Sequence, residues 1–236
     1  MTYQKGIEPI RVALCVVIAG IIALFVYNII NRPPNKHVGN NTPWVAAMSQ
    51  GDKNAKNTFI DYTDYFCSFC SEVEKATSDS SFKNQYIASG KLRYEHRVIA
   101  LLKDKVPNTE QGAEAAYCAA DQQKYWEYTH HIVPRIKADY FDKGIGVKNV
   151  AVPQSIPLLP RSYFETSAQA VGMNVATFSD CMKNEKHKQE IATNTDRALR
   201  LGVNGLPYMV VNDYIASGFG GGQNGLTSIL KAGGVQ

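Results

Sequence analysis

An uncharged apolar run, VALCVVIAGIIALFVYNII from Val12 to Ile30, stands apart from the chain that follows it. It is long enough to cross a bilayer as one helix, and predicts a transmembrane anchor behind a short tail of residues 1–11. A cleaved export signal is the alternative. The run is longer than the apolar core of such a signal, and NRPPNKHVGNN behind it has no small-x-small cleavage pattern. Cys15 follows bulky Leu14, which excludes a lipoprotein site, and reads as a small apolar residue in lipid. Lys5 and Arg11 before the run balance Arg32 and Lys36 after it, so charge leaves the orientation open. Residues 31–50, rich in Asn, Pro, Lys and Gly, predict an extended tether, from which Trp44, Val45 and Met48 are available to dock on the rest.

From Gly51 onward the pattern is that of a globular α/β unit. Alternating and aromatic residues from Thr58 to Tyr65 predict a strand that runs straight into a pair of cysteines. Val73, Ala76, Phe82, Tyr86 and Ile87 fall near helical spacing over Ser71–Ser89, with a weak stretch at Thr77–Ser81. Gly90 closes that helix, and Lys91–Leu101 predicts a second strand. Thr109 opens a long helical region whose Ala113, Ala116, Tyr117, Ala120, Tyr128 and Ile132 face inward. Glycines and prolines break residues 139–160 into a loop, and helix resumes from Ser162 to about Leu201. GLPYMVVND and YIASG predict two short strands, and Gly225–Lys231 a last helix. The order is β-α-β, a helical block, then β-β-α.

Length and composition agree with one folded unit. The chain has 236 residues, 44% hydrophobic and 19% charged, enough for one sizeable core. A formal charge of +4, without a Lys/Arg cluster interleaved with aromatics, gives no reason to expect nucleic acid.

The chemistry lies in CSFC, Cys67 to Cys70, where the first strand gives way to the first helix. A redox couple, two ligands of a metal and a structural staple are all open to that spacing. A redox pair needs one sulfur stabilised as thiolate and a second close enough to resolve it. A helix N-terminus stabilises negative charge at Cys67 through unpaired N–H groups and the dipole, and Cys70 lies one turn further in. Metal binding needs about four ligands; no second CxxC follows, and His96, His130, His131 and His187 show no ligand spacing. A Cys67–Cys70 staple closes too small a loop to add much stability. Asp61, Asp64 and Glu95 are candidates for an acid that exchanges protons with Cys70, against the plainer readings of solvated or turn-fixing carboxylates. Cys118 and Cys181 either pair, as two spare thiols do in an oxidising compartment, or stay as separate buried thiols.

Three stretches in the right order resemble the DsbA-like thiol:disulfide oxidoreductases, in the membrane-anchored or secreted branch. GDKNAKNTFIDYTDYFCSFC resembles that family's approach to its active site, YCAADQQKYWEYTHHI its Cys-Ala-x-x-Gln helix, and LGVNGLPYMVVND its Gly-Val-x-Gly-x-Pro segment. The resemblance covers about Gly51 to Ile229. It implies a thioredoxin fold of residues 51–236 with a helical insertion at about 109–200, behind one N-terminal transmembrane helix. It also implies that Pro207 is cis and faces Cys67 and Cys70; on the residue alone, Pro207 is an ordinary strand-starting proline. Leu206 beside it, with Ser68 and Phe69 between the cysteines, would then meet substrate. The chain departs from the family in having neither His nor Pro between the cysteines, and Leu206 where Thr or Val is common.

The activity so implied is transfer of a disulfide into exported proteins from the outer side of a cytoplasmic membrane, with no bound cofactor. Reduced exported proteins would be the substrates, and a quinone-linked membrane protein of the DsbB or vitamin K epoxide reductase-like kind the reoxidant. A reductase or isomerase of the same fold is the alternative activity. A redox-inactive membrane-tethered binding module is the alternative of another class, and retention of both cysteines with a matching proline speaks against it.

Overall fold

The computed structural model describes residues 13–14, 17–22, 45–147 and 154–236. The chain divides into two units, Met1–His37 and Val38–Gln236. In the first, residues 17–22 are helical with exposed side chains. Among the described residues no helix is long and apolar enough to cross a membrane; most of the predicted anchor at 12–30 and the tether up to residue 44 lie outside them.

In the second unit a five-stranded sheet has the order β1-β3-β2-β4-β5. The strands are β1 (Ser49–Gln50), β2 (Asn57–Thr63), β3 (Leu92–Val98), β4 (Tyr208–Val211) and β5 (Tyr214–Ser217). β2 and β3 are parallel, joined through helix α1 (Ser68–Ser78), and the other pairings are antiparallel. The predicted β-α-β and β-β-α halves are present, and between them the described residues form five α-helices, α2 (Thr109–Asp121), α3 (Tyr125–Asp139), α4 (Arg161–Ala170), α5 (Val175–Lys183) and α6 (Lys188–Arg200), with a short 3-10 turn at Phe141–Lys143. Helix α7 (Gly222–Ala232) closes the chain.

Alternation along the strands builds a core on each face of the sheet. Phe59, Tyr94, Met209 and Val211 pack with Val73 and Ala76 of α1 and Leu226 and Leu230 of α7; Phe59 and Tyr94 stack at 5.0 Å. Ile60, Tyr62, Tyr208 and Val210 pack with Ala198 of α6 and Val203. A third cluster fills the helical insertion and reaches back to Tyr65 and Phe66, just ahead of the cysteines.

Local stops divide helices that spacing alone predicts as continuous. The weak stretch after Ser78 ends α1 at Asp79, which is extended and caps a new turn by accepting from the Ser81 N–H at 2.7 Å. That turn runs on as a π-helix, Lys83–Ala88. Gln123, at φ 57°, separates α2 from α3, so the region from Thr109 is two helices. The block from Ser162 is three, interrupted at Gly172 (φ 72°) and Glu185 (φ 46°), where the backbone leaves the right-handed region.

Ser49 and Gln50 pair with Glu95 and Tyr94 on the sheet edge, and Met48 is fully buried. Gly51 ends this strand at φ 89°, with a Cβ position 2.3 Å from the Leu92 carbonyl oxygen, so no side chain fits there. Edge pairing is a tertiary contact, and two residues carry too little periodicity to predict it.

Candidate active site

β2 delivers the chain to the cysteines through a turn fixed by Asp64. Its carboxylate accepts from the Phe66 N–H at 2.9 Å and its carbonyl from the Cys67 N–H at 3.0 Å. Burial pushes the Asp64 carboxyl up to about 6, partly offset by the Phe66 N–H. This turn-fixing role is the plainer of its two sequence readings.

Cys67 is the N-cap of α1, and the Cys70 N–H donates to its sulfur at 3.4 Å. Both sulfurs are free thiols, Cys67 7% exposed and Cys70 2%. Burial above all raises the Cys70 pKa well above that of an ordinary thiol; the Cys67 sulfur and the Asp61 charge add to it. Cys70 therefore keeps its proton at neutral pH and needs a base to become a nucleophile. Ser68 is half-buried and Phe69 is exposed, at 45%, so this dipeptide presents an aromatic ring to solvent.

The Leu206–Pro207 peptide bond is cis. Tyr208 pairs with Tyr62 in the β2–β4 register, which sets Pro207 at the sheet end where β2 leaves for Cys67. The Pro207 carbonyl accepts from the Gly218 N–H at 3.2 Å, while Leu206 makes no backbone hydrogen bond among the described residues and is half-buried.

Below the cysteines lies a charged cluster on the α1 face of the sheet. Asp61 is fully buried, and its pKa is raised well above the carboxylate range, by burial first and then by the charges of Glu74 and Cys67. His96, also buried, has its Nε2 3.7 Å from Asp61 Oδ2 and 4.0 Å from Glu74 Oε2. Its Nδ1 bonds the Tyr125 hydroxyl at 2.6 Å. Burial takes the His96 pKa down to about 4, which keeps the ring neutral at pH 7. Glu74 behaves oppositely: burial would raise its pKa, but the hydrogen bond from His130 and the electrostatic influence of His96, His130 and Lys83 outweigh it and lower the pKa.

Of the three predicted acids, Asp61 is the one whose charge helps to raise the Cys70 pKa. Glu95 is a correction: strand alternation turns it to the opposite face from His96, where Arg97 Nε donates to it at 2.9 Å and Arg93 also pairs with it. Glu74 escaped the sequence reading, and His96 and His130 entered it only as histidines without ligand spacing. Glu74 was legible in principle, one helical turn beyond Cys70 on the same face; His96 needed the β2–β3 register and His130 the packing of α3.

Cys118 of α2 and Cys181 of α5 form a disulfide, with a Cα–Cα distance of 5.9 Å across 63 residues of sequence. The His187 N–H donates to the Glu114 carboxylate beside it at 2.8 Å.

A dithiol at the head of a helix, beside a buried acid and a cis proline on a β-α-β/β-β-α sheet, defines a thioredoxin-fold disulfide oxidoreductase. The chain belongs to the thioredoxin family, whose model matches residues 44–222. Solved structures agree on the fold. The thiol-disulfide exchange protein alpha-DsbA2 of Wolbachia pipientis is similar at a TM-score of 0.56 and 19% identity, over 78% of this chain and 85% of that one. BdbD of Bacillus subtilis, in its oxidised form, gives 0.60 and 14%, over 81% and 95%. DsbA of Chlamydia trachomatis gives 0.54 and 15%, over 86% and 96%. The fold is thus that of the DsbA-like proteins, with the helical insertion. No curated protein sequence matches the chain.

Proposed function

We propose that this protein introduces disulfide bonds into exported proteins through Cys67 and Cys70. The observation that carries the reading is the Cys67 sulfur at the helix N-cap, backed by Cys70 and the buried Asp61. A substrate thiolate attacks the Cys67 sulfur of the oxidised pair, the Cys67–Cys70 bond breaks, and Cys70 leaves as thiolate and takes a proton from Asp61. A second substrate thiolate then attacks the substrate sulfur, forms the substrate disulfide and releases Cys67 as thiolate; two electrons have passed to the enzyme. Leu206 offers its backbone to an extended substrate segment beside Pro207, and Ser68 and Phe69 form the contact surface around Cys67.

Turnover requires reoxidation, for which a quinone-linked membrane protein of the DsbB or vitamin K epoxide reductase-like kind is the partner in this reading. The apolar run 12–30 would hold the enzyme beside it as a single-pass anchor, with residues 31 to about 45 as tether and the thioredoxin-like unit outside the cytoplasmic membrane. The Cys118–Cys181 disulfide supports an oxidising compartment, and the DsbA names of the similar structures support the oxidative direction.

The test is the reduction potential of the Cys67–Cys70 pair in the full chain in detergent, equilibrated against glutathione buffers and read by thiol trapping. About 30 mV corresponds to roughly 1.4 kcal/mol for this couple. A potential well above the glutathione couple is expected. A strongly negative one would make the protein a reductase, and the lack of any reversible transition would return the binding-module reading.

A further inference from the structure

Asp61, which protonates Cys70 in the reading above, has no exposure of its own, so each turnover needs a route by which its proton is replaced. Exposure rises stepwise away from it: the side chains of Asp61, His96 and Glu74 are 0%, 1% and 3% exposed, and that of His130 is 26%. The spacing follows the same line. His96 Nε2 lies 3.7 Å from Asp61 and 4.0 Å from Glu74, just beyond direct hydrogen-bond distance. His130 Nδ1 then lies 2.6 Å from Glu74 Oε1, and Lys83 Nζ is 3.1 Å from His130 Nε2. Among the described residues, Asp61 Oδ1 and Oδ2, Glu74 Oε2 and His96 Nε2 are buried without a well-formed hydrogen bond, with the Tyr94 hydroxyl facing Asp61. Such atoms are costly to bury, and their retention calls for a role.

We infer that His130, backed by Lys83, is the solvent-side port of a proton path that serves Asp61 through Glu74 and past His96. The partners assign the tautomer: Lys83 donates to Nε2, so the neutral ring carries its hydrogen on Nδ1 and donates it to Glu74. An imidazole held this way takes a proton from Lys83 at one nitrogen as it gives one to Glu74 at the other. From Glu74 the proton crosses the gap bordered by His96 Nε2 and reaches the Asp61 carboxylate, which has just protonated the Cys70 thiolate. Lys83 recovers its proton from solvent, and reoxidation of the thiols sends the proton back out. His130 touches no substrate, so it is a positioning and relay residue.

The groups that face this line come from every element around it: Asp61 from β2; Tyr65 from the turn before α1; Cys67, Cys70 and Glu74 from α1; Lys83 from the π-helix; Tyr94 and His96 from β3; Tyr125 and Glu127 from α3. Glu127 is occupied by Lys124, whose Nζ donates to it at 3.0 Å. It therefore does not replace His130 at the port.

The proposal rests on the redox reading, and the test separates the two. Oxidised full-length protein is mixed with dithiothreitol in rapid quench, and reduction of the Cys67–Cys70 bond is followed by thiol trapping across pH 5–9, for wild type, His130→Ala and His130→Gln. The wild type reduces and reoxidises reversibly if the redox reading holds; if it does not, that reading fails before the port is tested. Both variants are expected to be slower by at least about tenfold, below the 10²–10⁴ of a direct acid or base. Added imidazole should restore the His130→Ala rate. His130→Gln keeps a donor toward Glu74 but carries no proton, so it controls for lost packing. Wild-type rates in both variants, or slow rates that imidazole does not restore, would overturn the port.

Discussion

Asp61 and His96 lie directly opposite each other in the parallel register of β2 and β3, both buried, with Oδ2 and Nε2 3.7 Å apart. Burial disfavours charge on both, raising the Asp61 pKa and lowering that of His96, so the neutral forms coexist. The pair thus needs no ion pair, and burial favours the protonated form of Asp61.

Asp61→Asn is expected to slow dithiothreitol reduction of the Cys67–Cys70 bond by about 10²-fold, the contribution of a positioned acid. The same change should stabilise the reduced protein at neutral pH. Asp61 binds its proton more tightly folded than unfolded, so stability is lost as pH rises from the unfolded pKa of about 4 toward the raised folded value. Urea melts at pH 5 and pH 8 should show the advantage of the variant growing with pH; an advantage that shrinks would contradict the assignment.

Asp64 obeys the same sign over a narrower window. Its folded pKa of about 6 implies that roughly 3 kcal/mol is lost between about pH 4 and pH 6. Asp64→Asn retains an acceptor for the Phe66 N–H and should flatten that part of the stability profile, as measured by denaturant midpoints at half-unit pH steps.

Cys67→Ser should abolish turnover with any dithiol substrate. Cys70→Ser should instead trap substrate on Cys67 as a mixed disulfide, seen as a mass increase that dithiothreitol removes. Normal turnover in the Cys67 variant would refute the mechanism.

Replacing Cys118 and Cys181 together by Ser opens a loop of 63 residues, which chain entropy values at about 4 kcal/mol. Urea denaturation should show a loss of that order, with the Cys67–Cys70 potential unchanged, because the bridge joins α2 to α5 and not the redox pair.

Gly112→Ala tests how the insertion supports the site. Alanine is the better helix former by about 1 kcal/mol, but its Cβ would stand 2.9 Å from the Phe66 ring and 3.6 Å from Tyr65 Cβ. Phe66 is itself packed edge-on against Phe164. Overpacking is expected to reverse the sign, to a net loss of about 1–3 kcal/mol in thermal or urea melts.

The sequence alone determined what is local. The strand entering Cys67, the helix beyond it, the β-β-α close and the helix end at Asp139 follow from periodicity and from Gly and Pro, whose effects act within a few residues. It also singled out Cys67, Cys70 and Pro207, because a motif is carried by neighbours in the chain. Tertiary structure decided the rest. The edge pairing of Ser49 and Gln50 has no periodic signature, and the breaks at Gln123 and Glu185 need φ values that neither residue announces. Asp61, Asp64 and Glu95 look alike in sequence. Only register, strand alternation and burial make the first a buried acid with a raised pKa, the second a turn fixer and the third an ion-pair partner of Arg97, since a carboxylate's chemistry is set by the neighbours that folding brings to it.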